Sequence, residues 1–373
     1  MAGRLASGPA PTGRAHAFAR FDEGVLATSS PSSTWLRWDD GVMRAVNVVS
    51  CEPDDVPLER GEFRGAAFDL TERLGARVIG ATVWEMQAGK KLGPYHYHDG
   101  FEEWMYVVSG APILRDRTGE RVLVPGELIA FQSGPLGAHT VHGPGRIVMF
   151  SAGDRGWGEA FVTVYLDSDK IGAAPGVMFR RADAIDAWPR EGGEKRCTET
   201  PRHEPVRKSG SPSVNLMTIT TKLLGDDDRR DGSGVRGAQL GPLLGAQTWT
   251  ATLHELGPGE PAAAYHYKWC REAWALVLGG APTLRHADGQ VALSPGDIVC
   301  FPQGPAGAHR LVNNTDDVAR LIVFSTDTRR PMSAFFPDSG TVLIRVSDHE
   351  GFLFRHDDQI DDYWDGEPGV GAA

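Results

Sequence analysis

Residues 95–139 of this 373-residue chain align without a gap on residues 265–309, 170 positions further on, and 21 of the 45 pairs are identical. Self-similarity of that degree at one long period marks a copied folding unit, so the chain is constrained to fold twice into the same topology. The likeness continues outside the aligned block. Val46-Asn47-Val48 corresponds to Val214-Asn215-Leu216, and Asp167-Ser168, Phe179-Arg180 and Trp188 correspond to Asp338-Ser339, Phe354-Arg355 and Trp364. A chain of this length has room for two domains with full cores. The expected organisation is a tail and lead-in over 1–44, a first domain over 45–189, a polar linker over 190–212, a second domain over 213–367 and a tail over 368–373. Gly225 to Gly234, with Asp226-Asp227-Asp228-Arg229-Arg230, reads as an exposed loop inside the second copy.

Each unit reads as mainly β. Runs such as Arg77 to Trp84 and Arg146 to Phe150 are apolar and rich in β-branched and aromatic residues, whereas long helical periodicity is scarce. The 46 glycines and 25 prolines suit short strands joined by many turns.

The chemistry concentrates at Tyr95-His96-Tyr97-His98-Asp99-Gly100-Phe101-Glu102-Glu103-Trp104 and at Gly134-Pro135-Leu136-Gly137-Ala138-His139. Residues two apart on a strand point to the same face, so His96 and His98 can present two imidazoles to one point. Glu103 falls on the next strand after a short polar turn, and His139 follows a Gly/Pro-rich loop that returns the chain to the same cavity. Three imidazoles and a carboxylate suit one divalent first-row ion, with positions left open for water or substrate. The loop Gly134 to Gly137 lacks the lysine and following helix of a phosphate cradle and reads as the turn that aims His139.

These residues resemble the two motifs of the cupin superfamily. His96, His98, Glu103 and Gly110 match the first, and Gly126, Gly134 and His139 the second. The departures are Gly89, one residue further from His96 than usual; Gln132 in place of a proline; His139 two residues later than usual; and Gly143 in place of the closing asparagine. None removes a ligand. The resemblance implies an all-β chain of two tandem double-stranded β-helix (jelly-roll) barrels, with the metal inside the mouth of the first. It leaves the reaction open, because cupins include dioxygenases, decarboxylases, isomerases, epimerases and binding proteins. It also implies that the two domains pack as an intramolecular pseudo-dimer, with homodimerisation as a further expectation.

The copies differ in chemistry. The second retains His266 and His309 but has Lys268 for His98 and Ala273 for Glu103. Two imidazoles beside an ammonium make a poor cation site, so the first copy is expected to bind metal and the second not. His266, Lys268 and His309 are either a second polar pocket holding an anion or remnants in a domain kept for stability. The comparison also separates two adjacent acids. Glu102 survives as Glu272 beside a shared tryptophan and reads as structural, whereas Glu103 disappears together with His98, as a ligand would.

A formal charge of −11 argues against nucleic acid, and no apolar stretch is long enough to cross a membrane. Four scattered cysteines, Cys51, Cys197, Cys270 and Cys300, fit a reducing cytoplasm. No dinucleotide or nucleotide fingerprint is present, so no nucleotide cofactor is expected. The expectation is an enzyme with one divalent metal, iron or manganese by the resemblance, with zinc, nickel and copper as alternatives. It would act on a small polar substrate bearing a carboxylate or similar chelating oxygen, as an O2-dependent dioxygenase or oxidase. The alternatives are a non-redox lyase or isomerase and a non-catalytic small-molecule binder. Gln132, Lys90, Lys91 and Arg115 are candidates to orient substrate, and His142 to donate to a ligand from behind.

Overall fold

The computed structural model describes residues 43–153, 162–173, 177–184, 210–224, 235–326, 332–347 and 350–359. The tail before residue 43, most of the linker, the Asp226–Arg230 loop, Trp188, Cys197, Trp364 and the C-terminal tail lie outside the described residues. The first copy contains β1 (Ala45–Asn47), β2 (Asp55–Arg60), β3 (Phe63–Asp69), helix α1 (Leu70–Arg73), β4 (Gly80–Met86), β5 (His96–Asp99), β6 (Phe101–Gly110) and β7 (Ile113–Asp116). It continues with β8 (Gly119–Val122), β9 (Glu127–Phe131), β10 (Thr140–His142), β11 (Gly145–Gly153), β12 (Val162–Tyr165), β13 (Lys170–Ala173) and β14 (Val177–Arg180). The second copy repeats the order as β15 (Ser213–Asn215), β16 (Lys222–Leu223), β17 (Arg236–Gln239), α2 (Leu240–Leu244), β18 (Trp249–Leu256), β19 (Tyr267–Lys268), β20 (Ala273–Gly279) and β21 (Thr283–His286). It ends with β22 (Gly289–Ala292), β23 (Asp297–Phe301), β24 (His309–Val312), β25 (Ala319–Thr326), β26 (Met332–Phe336), β27 (Thr341–Ser347) and β28 (Glu350–Arg355).

The named strands pair antiparallel within three sheets per copy. In the first copy a seven-stranded sheet, β15-β9-β6-β11-β4-β3-β2, is completed by β14-β13-β12-β5 and by β10-β7-β8. In the second the order is β1-β23-β20-β25-β18-β17-β16, completed by β19-β26-β27-β28 and β22-β21-β24. Each copy is thus a jelly roll whose large sheet has two faces with different neighbours.

Strand parity assigns those faces. On β6, Met105 and Val107 turn inward to join Trp84, Leu114, Ile129, Phe131, Val141, Ile147 and Met149 in the core of the first barrel. The intervening Trp104 and Tyr106 turn outward, into a core shared with Trp249, Trp274, Leu276, Ile322 and Phe324 of the second copy. On β20 the same alternation sends Ala275 and Val277 inward and Trp274 and Leu276 to the shared core. Because both faces of each large sheet are covered, the middle of a central strand, Trp104 to Val107 on β6 and Ala273 to Leu278 on β20, is apolar on both faces. The two barrels therefore pack back to back through one continuous apolar layer, with Trp104 stacked on Trp249 at 5.4 Å between ring centroids.

The copies also exchange strands. β1, at the start of the first copy, pairs with β23 of the second, Val46 opposite Ile298, and β15 pairs with β9 of the first, Val214 opposite Leu128. Asn47 Nδ2 donates to the Pro295 carbonyl (2.9 Å) and to Asp297 Oδ1 (2.9 Å), and Asn215 Nδ2 donates to the Pro125 carbonyl (3.2 Å). Gly126 permits this seating: its φ is +86°, and a Cβ there would lie 2.5 Å from Met217 Cγ.

Candidate metal centre

The three sheets of the first barrel meet at the histidines. His96 and His98 lie on β5, Glu103 on β6 and His139 just before β10. The backbones of His96 and His139 exchange both hydrogen bonds, at 3.1 and 2.8 Å, which ties β5 to the loop ahead of β10. That loop is aimed by Gly137, where a Cβ would sit 2.0 Å from the Gln132 carbonyl oxygen. Glu103 faces inward by the same parity as Met105, opposite Phe131 on β9.

The side chains converge. His96, His98 and Glu103 offer ligand atoms all within 4.8 Å of one another. His96 Nε2 and His98 Nε2 are 3.0 Å apart, Glu103 Oε2 is 3.3 Å from His98 Nε2, and His139 Nε2 is 3.6 Å from the same oxygen. His96 Nδ1 donates to the Pro94 carbonyl at 2.7 Å and His139 Nδ1 to the Gly137 carbonyl at 2.8 Å. A carbonyl can only accept, so in the neutral rings both Nε2 atoms carry lone pairs into the cluster. His98 Nδ1 is 2.9 Å from Thr163 Oγ1 on the adjacent β12. Phe131 stacks on His139 at 3.7 Å and Phe101 on His98 at 4.2 Å, fixing both rings from behind.

The electrostatics fit a cation. Burial, then the neighbouring imidazoles His139 and His98, hold His96 down to about 3, so it stays neutral and nucleophilic at neutral pH. His139 is likewise lowered by burial. For Glu103, burial pushes upward, but the three imidazoles, His98 foremost, outweigh it and bring the carboxyl down to about 2. Glu103 Oε2 is buried and accepts no hydrogen bond. A buried carboxylate oxygen with only imidazole nitrogens for polar neighbours, at 3.3 and 3.6 Å, is an arrangement that a divalent ion relieves. The donor set of three nitrogens and one oxygen therefore fits a first-row metal.

The other sequence candidates lie elsewhere. Gln132, expected near the cavity mouth, instead donates from Nε2 to the Gly245 carbonyl at 2.8 Å, across to the end of α2 in the second copy. Arg115 makes a two-pronged pair with Asp167 (2.6 and 2.9 Å) and covers the Tyr95 ring at 4.2 Å. Arg285, Asp338 and Tyr265 repeat that arrangement in the second copy, which marks it as part of the fold. Lys90 Nζ donates to the Gly61 carbonyl and Lys91 pairs with Glu62, both on the exterior. His142 faces Glu120 at 3.8 Å and not His139, whose Nδ1 is already bonded to Gly137.

In the second barrel His266 and His309 keep the backbone exchange (3.1 and 3.0 Å) and lie 4.8 Å apart by ring centroids. Lys268 and Ala273 take the places of His98 and Glu103. Sequence reading missed two further differences. Thr163, opposite His98, becomes Ala334, opposite Lys268, and Tyr165, opposite His96, becomes Phe336. Extending the repeat back from Asp167 and Asp338, where the offset is one residue larger, would have exposed both.

The sequence profile of the cupin domain matches residues 252–325. That segment is the core of the second copy and is a cupin domain, and the first copy repeats its sequence motifs and strand order. Among solved structures, a cupin-superfamily sugar phosphate isomerase from Silicibacter pomeroyi is 25% identical over 39% of this chain and 94% of that one, with a TM-score of 0.36. A putative sugar phosphate isomerase from Acidithiobacillus ferrooxidans is 23% identical over 39% and 91%, with a TM-score of 0.36. Oxalate decarboxylase from Bacillus subtilis is 16% identical over 78% of each chain, with a TM-score of 0.43. No curated protein sequence matches the chain. No helix among the described residues is long and apolar enough to cross a membrane.

Proposed function

We propose that the first barrel is the active site of a metal-dependent enzyme that oxidises a small polar substrate with O2, the substrate binding through a carboxylate or similar chelating oxygen. The observation that carries this reading is the convergence of the His96, His98 and Glu103 ligand atoms within 4.8 Å of one another, with the far nitrogens of the imidazoles anchored. Bound iron or manganese would supply the redox chemistry and the Lewis acidity. His96, His98, Glu103 and His139 are the residues that hold it. Phe101 and Phe131 back the ligand rings and keep bulk water from them. Tyr165, 5.9 Å from His96 by ring centroids, is kept protonated by burial and offers a hydroxyl to a substrate oxygen.

The charges acting on His96 and Glu103 are those of the cluster itself. The protein would act in the cytoplasm, a compartment that its four scattered cysteines suit. The test is oxygen uptake by metal-loaded protein against a panel of small carboxylates, beside Glu103→Ala. Substrate-dependent uptake that disappears in the variant is the expected result. Turnover without oxygen uptake would replace this reading with the lyase or isomerase one.

A further inference from the structure

We propose that the second barrel is a metal-free binding site for a small anion that also carries a hydroxyl, a hydroxycarboxylate or hydrogen phosphate, held by Lys268, His266 and His309. The site is independent of the chemistry assigned to the first barrel. Three changes relative to the first barrel remove what a cation needs: Lys268 for His98, Ala273 for Glu103 and Ala334 for Thr163. What remains is built with the same care. His266 Nδ1 donates to the Ala264 carbonyl at 2.9 Å, His309 Nδ1 donates to the Gly307 carbonyl at 2.7 Å, and Phe301 stacks on His309 at 3.6 Å.

Lys268 is half-buried on β19 and makes no hydrogen bond or ion pair among the described residues. A sheltered ammonium without a counter-charge is a cost to the fold that packing alone does not explain. Burial, the largest effect, and the cations Arg271 and Arg345 bring it down to about 8, with Cys270 acting in the opposite sense. It is still mainly protonated at neutral pH. The positive charge at Lys268 is a local one, in a chain whose formal charge is −11. An anion is the ligand this field attracts.

The imidazoles narrow the class further. With both Nδ1 hydrogens committed to carbonyls, Nε2 of each neutral ring is an acceptor. Burial holds His266 down to about 4 and His309 well below its ordinary range, so neutral rings prevail at pH 7. A ligand that satisfies an ammonium and two imidazole acceptors must combine a negative oxygen with a hydroxyl donor. Phe336, 5.9 Å from His266, and Phe301 add aromatic walls suited to a short carbon skeleton.

The test uses the full chain carrying His98→Ala and stripped with chelator, so that the first barrel holds no metal. Glycolate, acetate and inorganic phosphate are titrated calorimetrically, with manganese alone as the cation probe. Saturable binding of glycolate or phosphate at one per chain, with acetate about tenfold weaker, is expected, since a lost hydrogen bond in a sheltered site costs about that factor. Adding Lys268→Met should weaken the bound anion at least about tenfold, with Lys268→Arg retaining it. Equal affinity in Lys268→Met, acetate as tight as glycolate, or no binding of glycolate or phosphate would overturn the proposal. If Lys268→Met fails to fold, a rise in thermal midpoint with glycolate or phosphate in the Lys268→Arg chain decides it, and no rise overturns it. Metal content and oxygen uptake do not enter, so failure here is distinct from failure of the first-barrel reading.

Discussion

Thr163 Oγ1 lies 2.9 Å from His98 Nδ1, and that contact sets which nitrogen of His98 faces the cluster. Outer hydrogen bonds of this kind are commonly worth about 10- to 100-fold in metal affinity. Thr163→Val should weaken metal binding by about that factor without unfolding the barrel, as read by competition with a chelator. Unchanged affinity would show that His98 is oriented by Phe101 alone. Proton linkage gives a second expectation at this scale. On folding, His96 falls from 6.5 to about 3, with burial the main cause, so between those values the unfolded chain takes up a proton that the folded one does not. His266, lowered to about 4, acts in the same sense, and Glu103, lowered from 4.5 to about 2, extends the effect further into acid. Stability of the metal-free protein should therefore fall as pH drops through this range. Urea midpoints measured from about pH 7 to about pH 4 check it, and a flat profile would contradict it. At the residue scale the His96, His98 and Glu103 cluster was legible because strand period pairs the two histidines and the comparison of the copies picks out Glu103. The contact of Gln132 was not legible, because its partner, Gly245, is 113 residues away.

The two adjacent acids on β6 owe their roles to the pleat. Glu103 turns inward to the histidines, and Glu102 turns outward to the second copy. There Glu102 Oε2 accepts from the backbone amides of Gln247 and Thr248 and from the Thr248 hydroxyl, at 2.9 to 3.0 Å, and Oε1 accepts from Trp104 Nε1 at 2.9 Å. Glu272 returns the contact, accepting from the amides of Arg77, Val78 and Ile79 and from Trp274 Nε1. Each fully buried carboxylate thus caps the strand entry of the other copy. Glu102→Ala strands several buried donors and should cost about 3 kcal/mol or more in denaturant unfolding. Metal content should stay at the wild-type level in that variant. Loss of metal in Glu102→Ala with retention in Glu103→Ala would reverse the assignment. The repeat in the sequence marked Glu102 and Glu272 as common to both copies and hence structural. It could not show what they hold, nor that β1 and β15 change places, because those partners are set by how the barrels meet.

The whole molecule rests on the layer between the large sheets. Phe150 and Phe324 meet at 4.9 Å, and Trp249 packs against both Trp104 and Phe324. Val48, Leu216, Leu240 and Leu244 seal the layer from the exchanged strands and from α2. With this layer, two exchanged strands and two reciprocal carboxylates shared, the barrels should unfold together in one calorimetric transition. Trp249→Ala should cost about 3 to 5 kcal/mol and lower that transition as a unit. Two separated transitions would show that the barrels are independent domains. That two all-β units exist was legible from the repeat. Their back-to-back contact was not, because an apolar run on a central strand reads the same whether its second face meets a helix, another sheet or another chain.

The central claim is that one barrel holds a metal through His96, His98, Glu103 and His139 while its copy does not. Metal analysis of chelator-free protein beside the His96→Ala and Glu103→Ala variants tests it most directly. The account predicts about one equivalent of iron or manganese per chain, lost in both variants. Two equivalents per chain, one of them removed by His266→Ala, or equal metal in wild type and Glu103→Ala, would contradict it.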